Sequence, residues 1–398
     1  MKSAIKEFIE LTDAEKKNLW DKAIFVFDTN IYLNLYRYSK KTRDSLLKAM
    51  QGLENKIWMP KQVAYEFMKD RVGVIISVMN SYDSLKNEFS TFIKKVSEEL
   101  RLNKDDKDIK RLEEFFEKWI TSKKETNMAV SDLHNDTILN QILELYDGKV
   151  GTGFDKDDMD KIIAEGEERV KKHIPPAYKD SKKADATCDN NAYGDFVIWK
   201  EIINYAKDNK RDVIFITDDK KEDWWNICKG RTIGPRVELI KEFSDITDQE
   251  FYMYSMEQFI SVNDSINGKK IDTSVIDEVK RVPRLRRIER ERSLSMGMER
   301  LAFTERKIDE LREKMNYLSD KLQYSRKEIE EAIDSRDIDD IPFEEKHKIS
   351  RQISFAQQIE SEMHEYDMQI QKLMDEHFRI RKMIGSRELA ENFLVSYK

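Results

Sequence analysis

Two short apolar runs, Ile24-Phe25-Val26-Phe27 and Val213-Ile214-Phe215-Ile216, each stop at acid-bearing turn chemistry. The first gives way to Asp28-Thr29-Asn30 and the second to Thr217-Asp218-Asp219. Runs of β-branched and aromatic residues without polar alternation read as strands buried on both faces, as in a parallel sheet. In open α/β sheets chemistry gathers beyond the carboxyl ends of such strands. Both runs thus deliver acids to that edge. Carboxylates arriving from separate strands suggest a cluster that holds a divalent metal.

Bulk properties set the frame for that cluster. A chain of 398 residues exceeds what one core usually organises, so two domains are expected. Charged residues make up 37% of it, which implies much solvated helix. No apolar stretch approaches the roughly 20 residues that span a bilayer. The N-terminus, Met1-Lys2-Ser3-Ala4-Ile5-Lys6-Glu7, lacks the apolar core of a signal peptide. Cys188 and Cys228 are the two cysteines, too few for a disulfide framework or a zinc site, so a reduced cytoplasm is the expected location. The net charge of -7 argues against an indiscriminate polyanion binder and leaves room for a local basic groove.

All six tryptophans precede residue 226, placing the large aromatic core in the N-terminal part. That part is expected to end near residue 268, after a strand at 250–254 and a short helix at 255–260. A basic linker over 269–297 and a helical region over 298–398 follow. In the latter, Leu301, Ile308, Leu311, Met315, Leu318, Leu322, Ile329 and Ala332 form one a/d seam, interrupted at Thr304 and Ser325. Ile349, Ala356, Ile359, Met363, Tyr366, Ile370, Leu373, Ile380 and Ile384 form a second, interrupted at Gln352 and His377. Pro342 separates them, since proline cannot continue a helix interior. An antiparallel coiled-coil hairpin is the simplest packing and self-association through the same seams is the rival; the region is expected to recruit a protein partner or fix the oligomeric state. Truncation near residue 270 is expected to leave the first domain folded.

Within the first domain the order alternates. A strand at 24–27 leads to a helix over 40–53, and a short strand at 56–60 precedes a helix from about 62 to 99. Further helices are expected over 108–123 and 131–146, so 75–175 reads as a helical insertion in a βαβ framework. The framework resumes with a helix at 193–207 and the strand at 213–217.

Two more acids face the same edge in this scheme. Glu66 lies in the first turns of the helix leaving the second strand, and Asp195 opens a later helix just after Gly194. Singly, each is equally explained by the positive end of a helix dipole or by an N-cap. Together, Asp28-Thr29-Asn30, Glu66, Asp195 and Thr217-Asp218-Asp219 resemble the motif set of the PIN-like domain family. Tyr193-Gly194-Asp195, Trp224-Trp225, Ile233-Gly234-Pro235-Arg236 and Ile174-Pro175-Pro176-Ala177-Tyr178-Lys179-Asp180 resemble one bacterial branch of it. The resemblance covers about residues 20–265. It implies a PIN/5′-nuclease-like α/β fold, here a parallel sheet flanked by helices with a helical insertion, followed by the all-α hairpin. It further implies a metal-dependent endonuclease, usually acting on RNA, with a toxin-like or phage-defence role by analogy. Asp28, Glu66, Asp195 and the Asp218/Asp219 pair are its acidic-site positions, Asp219 being favoured as the ligand and Asp180 a weaker addition. Oxygen donors without histidine or cysteine suit Mg²⁺ or Mn²⁺.

Asn30 is placed to hold either substrate or a ligand carboxylate. Residues 280–292 carry seven bases against two acids, net +5, making Arg284, Arg286 and Arg287 candidate phosphate contacts or simply a solvated helix start. Tyr32, Tyr36 and Tyr38 are candidates for base stacking or for the core. Gly148-Lys149-Val150-Gly151-Thr152-Gly153 lacks phosphate-loop spacing, and the loop beginning at Asp155 has Asp160 where a calcium loop needs glycine. The alternative to a nuclease is a non-catalytic protein whose coiled coil recruits a partner.

Overall fold

The computed structural model describes residues 2–103, 106–128, 130, 133, 135–176, 178, 193–270, 272–333 and 342–388. The chain divides into two compact units, Met1–Arg287 and Ile288–Lys398. In chain order the first contains α1 (Asp13–Lys22), β1 (Ile24–Phe27), α2 (Thr29–Asn34), α3 (Lys40–Gln51), α4 (Lys61–Glu99), α5 (Lys107–Asn127), α6 (Thr137–Leu145) and α7 (Lys156–Lys172). It continues with α8 (Gly194–Asn209), β2 (Val213–Ile216), β3 (Trp225–Cys228), β4 (Arg231–Pro235), α9 (Val237–Thr247), β5 (Phe251–Tyr254) and α10 (Met256–Ile266). Then α11 (Thr273–Ile333) runs on into the second unit, which also holds α12 (Phe343–Glu388).

The three central strands are parallel in the order β1-β2-β5. Phe27, Ile216 and Tyr254 stand in line, so all three strands end at one level. Every residue of β1 and β2 is buried, as their unbroken apolar runs require. Beside β1, the strand expected at 56–60 is reduced to two parallel bridges, Phe25 with Ile57 and Met59 with Val150. Pro60 has no N–H to extend that pairing, and α4 starts at the next residue.

Helices cover the sheet with aromatic side chains. Trp20 packs on Phe25 and Phe259 at 4.8 and 5.6 Å between ring centres. Trp199 of α8 meets Phe251 at 4.9 Å and Trp224 at 6.1 Å. The expected helical insertion is present. Beyond a first half that contributes Val63, Phe67, Val74 and Ile75 to the core, α4 pairs with α5 through Phe89 stacked on Phe116 at 3.9 Å. Trp119 belongs to that arm and is 46% exposed, so one tryptophan stands outside the aromatic core.

Val275, Ile276 and Val279, in the first turns of α11, are buried in the core of the first unit. Glu278 there accepts hydrogen bonds from Ser39 N (2.6 Å), Ser39 Oγ (2.6 Å) and Thr42 Oγ1 (2.5 Å). A helix rooted in the core thus occupies much of the stretch read as a basic linker. In the second unit, α11 and α12 pack antiparallel. Leu301 meets Ile380, Ile308 and Leu311 cluster with Ile370, and Arg326 pairs with Glu360 at 2.7 Å. The interrupting Thr304 and Ser325 are themselves buried, Thr304 by donating to Leu301 O at 2.8 Å. No described helix is long and apolar enough to cross a membrane.

Candidate functional site

The level ends of β1 and β2 put Asp28 and Thr217 side by side. Asp28 turns the chain into α2 and caps it, accepting from Thr29 N at 2.7 Å. Its other oxygen accepts from Thr217 Oγ1 at 2.6 Å and from Asn30 Nδ2. Asn30 also donates to Thr217 Oγ1 at 3.1 Å and accepts from Asp218 N at 3.2 Å. Asn30 therefore ties the two strand exits together and orients a carboxylate.

Glu66 reaches this edge from the second turn of α4. Thr29 Oγ1 donates to its Oε2 and Gln62 Nε2 to its Oε1, both at 2.9 Å. The N-terminus of α8 closes in from the other side. A Cβ on Gly194 would collide with Glu66 Oε1, so glycine leaves room for that carboxylate in its place between the two helices. Asp195, in the first turn of α8, accepts from Lys221 Nζ at 3.0 Å and from Trp224 Nε1 at 3.4 Å. Asp219 is held by Lys221 N (3.0 Å to Oδ1) and Lys221 Nζ (3.0 Å to Oδ2), while Trp225 Nε1 fixes its carbonyl at 2.6 Å.

The adjacent aspartates differ. Asp218 turns toward α10, accepting from Met256 N at 3.1 Å and from Asn34 Nδ2 at 3.5 Å. Burial above all pushes it up to about 6. Asp219 lies close enough to Asp28 to act on its charge. Burial pushes Asp28 well above the usual carboxylate range, and repulsion from Asp195, Asp219 and Glu66 reinforces it against the Thr217 hydrogen bond. Four acids from four segments thus crowd one edge: Asp28, Glu66, Asp195 and Asp219. Asp218 is the member of the predicted set turned aside.

Two residues at this edge carry no sequence expectation. Lys221 bridges Asp195 and Asp219. Glu201, one turn and more beyond Asp195 on α8, is buried under the start of α4 and accepts from Gln62 N at 3.2 Å. Burial pushes it up to about 7, with Glu66 adding repulsion. Its one visible signal is a charge at the spacing of the buried Val197 and Ile198, inside an apolar helix. The tyrosine alternative resolves toward the core. Tyr32, Tyr36 and Tyr38 are all buried, Tyr32 bonding Tyr146 at 2.7 Å and Tyr36 bonding Asp136 at 2.8 Å, so none offers a face to a base. Arg284 is exposed on α11, whereas Asp180 and the side chains of Arg286 and Arg287 lie outside the described residues.

The sequence profile of a family described as PIN like domain matches residues 24–239, more than half of the chain. The chain belongs to the PIN-like domain family. The parallel sheet and flanking helices agree with that membership, and PIN-like domains are typically metal-dependent nucleases that bind nucleic acid. No curated protein and no solved structure matches the chain. The donors at the PIN-like domain's strand exits fit a hard divalent cation: carboxylates alone, mutually repelling, with no histidine or thiolate among them. Among the described residues, however, no group of three or more such side chains already stands at metal-holding spacing.

Proposed function

We propose that this PIN-like protein is a metal-dependent endonuclease hydrolysing nucleic-acid phosphodiester bonds, RNA rather than DNA. The convergence of Asp28, Glu66, Asp195 and Asp219 on one sheet edge, where burial and then the charge of its neighbours push Asp28 above the usual carboxylate range, carries this reading. These four would hold Mg²⁺ or Mn²⁺. Such an ion, when bound, makes bound water more acidic and offsets negative charge on a phosphodiester. Around it the chain's own groups have defined work. Asn30 and Thr217 orient Asp28, Thr29 and Gln62 orient Glu66, and Trp224 orients Asp195. The preference for RNA and a toxin-like or defence role extend the resemblance of the motifs, a cytoplasmic location follows from the low cysteine content, and the hairpin would serve a protein partner.

Cleavage of mixed single-stranded RNA and DNA in Mg²⁺ or Mn²⁺ tests this. Asp28→Asn keeps the contact to Thr29 N and removes the charge, so cleavage should fall by roughly 100-fold or more with the circular dichroism spectrum unchanged. EDTA should abolish the wild-type activity. Equal cleavage by folded wild type and variant would rule out Asp28 as an essential ligand, full activity in EDTA would sink the metal mechanism, and no cleavage of either substrate would leave the non-catalytic interaction protein as the better account.

A further inference from the structure

Lys221 stands where a cation belongs. Its Nζ is 3.0 Å from Asp195 Oδ2 and 3.0 Å from Asp219 Oδ2, the two acids that enter the site from α8 and from the exit of β2. The surroundings hold those acids in place without it. Trp224 Nε1 reaches the same Asp195 oxygen at 3.4 Å, and Lys221 N and Trp225 Nε1 secure Asp219 at 3.0 and 2.6 Å. The carboxylates are thus fixed while the ammonium sits on a flexible four-carbon stem. The Lys221 side chain is 30% exposed, leaving it a path to solvent. On the far side, Asp28 is served by neutral donors, Thr29 N, Asn30 Nδ2 and Thr217 Oγ1. Asp195 and Asp219 thus meet a full positive charge where Asp28 accepts neutral hydrogen bonds.

We infer that Lys221 is a built-in counter-ion that competes with a divalent cation for Asp195 and Asp219. Its ammonium compensates the two carboxylates in the metal-free protein and must withdraw before an ion takes them. This rests on the metal-dependent reading above. It differs from a lysine that only braces the fold, because a brace would have no preference between empty and loaded sites. It differs also from a lysine that assists ion binding, because the sign of its effect on affinity is opposite.

Mn²⁺ titrations of the full chain, followed by calorimetry and by the electron-spin signal of free Mn²⁺, separate these roles without any cleavage. Lys221→Met and Lys221→Gln should bind Mn²⁺ about tenfold or more tightly than wild type, since a unit charge adjacent to both ligands is removed. Lys221→Arg, which keeps the charge, should bind no more tightly than wild type. Affinity unchanged or weakened in both neutral variants would overturn the proposal while leaving metal-dependent cleavage intact. Absence of Mn²⁺ binding at millimolar concentration in wild type and neutral variants alike would instead remove the metal-dependent reading, and this inference with it. If Lys221→Met fails to fold, Lys221→Gln carries the comparison, with circular dichroism confirming its structure.

Discussion

Glu201 is a carboxylic acid sealed beneath the first turn of α4, with a folded-state value pushed up to about 7 from an ordinary 4.5. The folded protein therefore holds this proton more tightly than the unfolded chain does. Its contribution to stability is complete below about pH 4.5 and is lost as the pH rises through about 7. Asp28 and Asp218 lean the same way. Glu201→Gln keeps an acceptor for Gln62 N and removes the titration. Urea unfolding at pH 5 and pH 8 should show wild type losing on the order of 2–3 kcal/mol more than the variant between those values. Parallel losses in both proteins would show that Glu201 does not bind the proton assigned to it. Neither Glu201 nor Lys221 was legible in the sequence for a shared reason. Asp28 and Asp219 announce themselves because a strand's end fixes where they point, whereas Glu201 reads as one more helix acid and Lys221 as part of the charged run 220–223. Their importance arises from what another segment brings against them.

Secondary structure was more readable than side-chain partnership. Each of β1, β2 and β5 coincides with an apolar or aromatic run, and α3, α4, α5 and α8 follow the helical periodicity expected of them. The hairpin β3–β4 has no clear signal in the sequence. Its strands hold exposed residues such as Ile227 and Ile233, and its turn is Lys229-Gly230. Both residues take positive φ, 49° and 75°, a conformation usually signalled by Asn-Gly or Asp-Gly. The start of α11 was hidden too, because sequence charge suggested a linker while Val275, Ile276 and Val279 are spaced as one buried helical face. The Glu278 contacts make α11 a cap for α3, whose own Ser39 side chain satisfies no helix N–H. Glu278→Ala should lower unfolding free energy by about 1–2 kcal/mol through loss of that cap. Chemical denaturation with the midpoint unmoved would show that α3 keeps its N-terminus without help.

At the scale of the whole molecule, the first compact unit runs to Arg287 rather than stopping at 268. A chain ending after residue 287 should fold cooperatively, with far-UV circular dichroism and a urea transition close to those of the same unit in the full protein. One ending at 270 loses three buried aliphatic side chains and the α3 cap, a deficit on the order of 5 kcal/mol that rivals the stability of a typical domain. Equal transitions for the two truncations would place the start of α11 outside the core. The level register of the sheet has a kinetic consequence. Asp28 N–H donates to Ile216 O at 2.9 Å and Thr217 N–H to Tyr254 O at 3.1 Å, so the ladder's last rungs lie inside the acidic edge itself. Backbone anchored this way moves when the sheet moves, which is slow. Among the described residues, adjustment to an arriving ion then falls to side-chain torsions such as those of Lys221, which hop in picoseconds to nanoseconds instead of waiting for a microsecond lid.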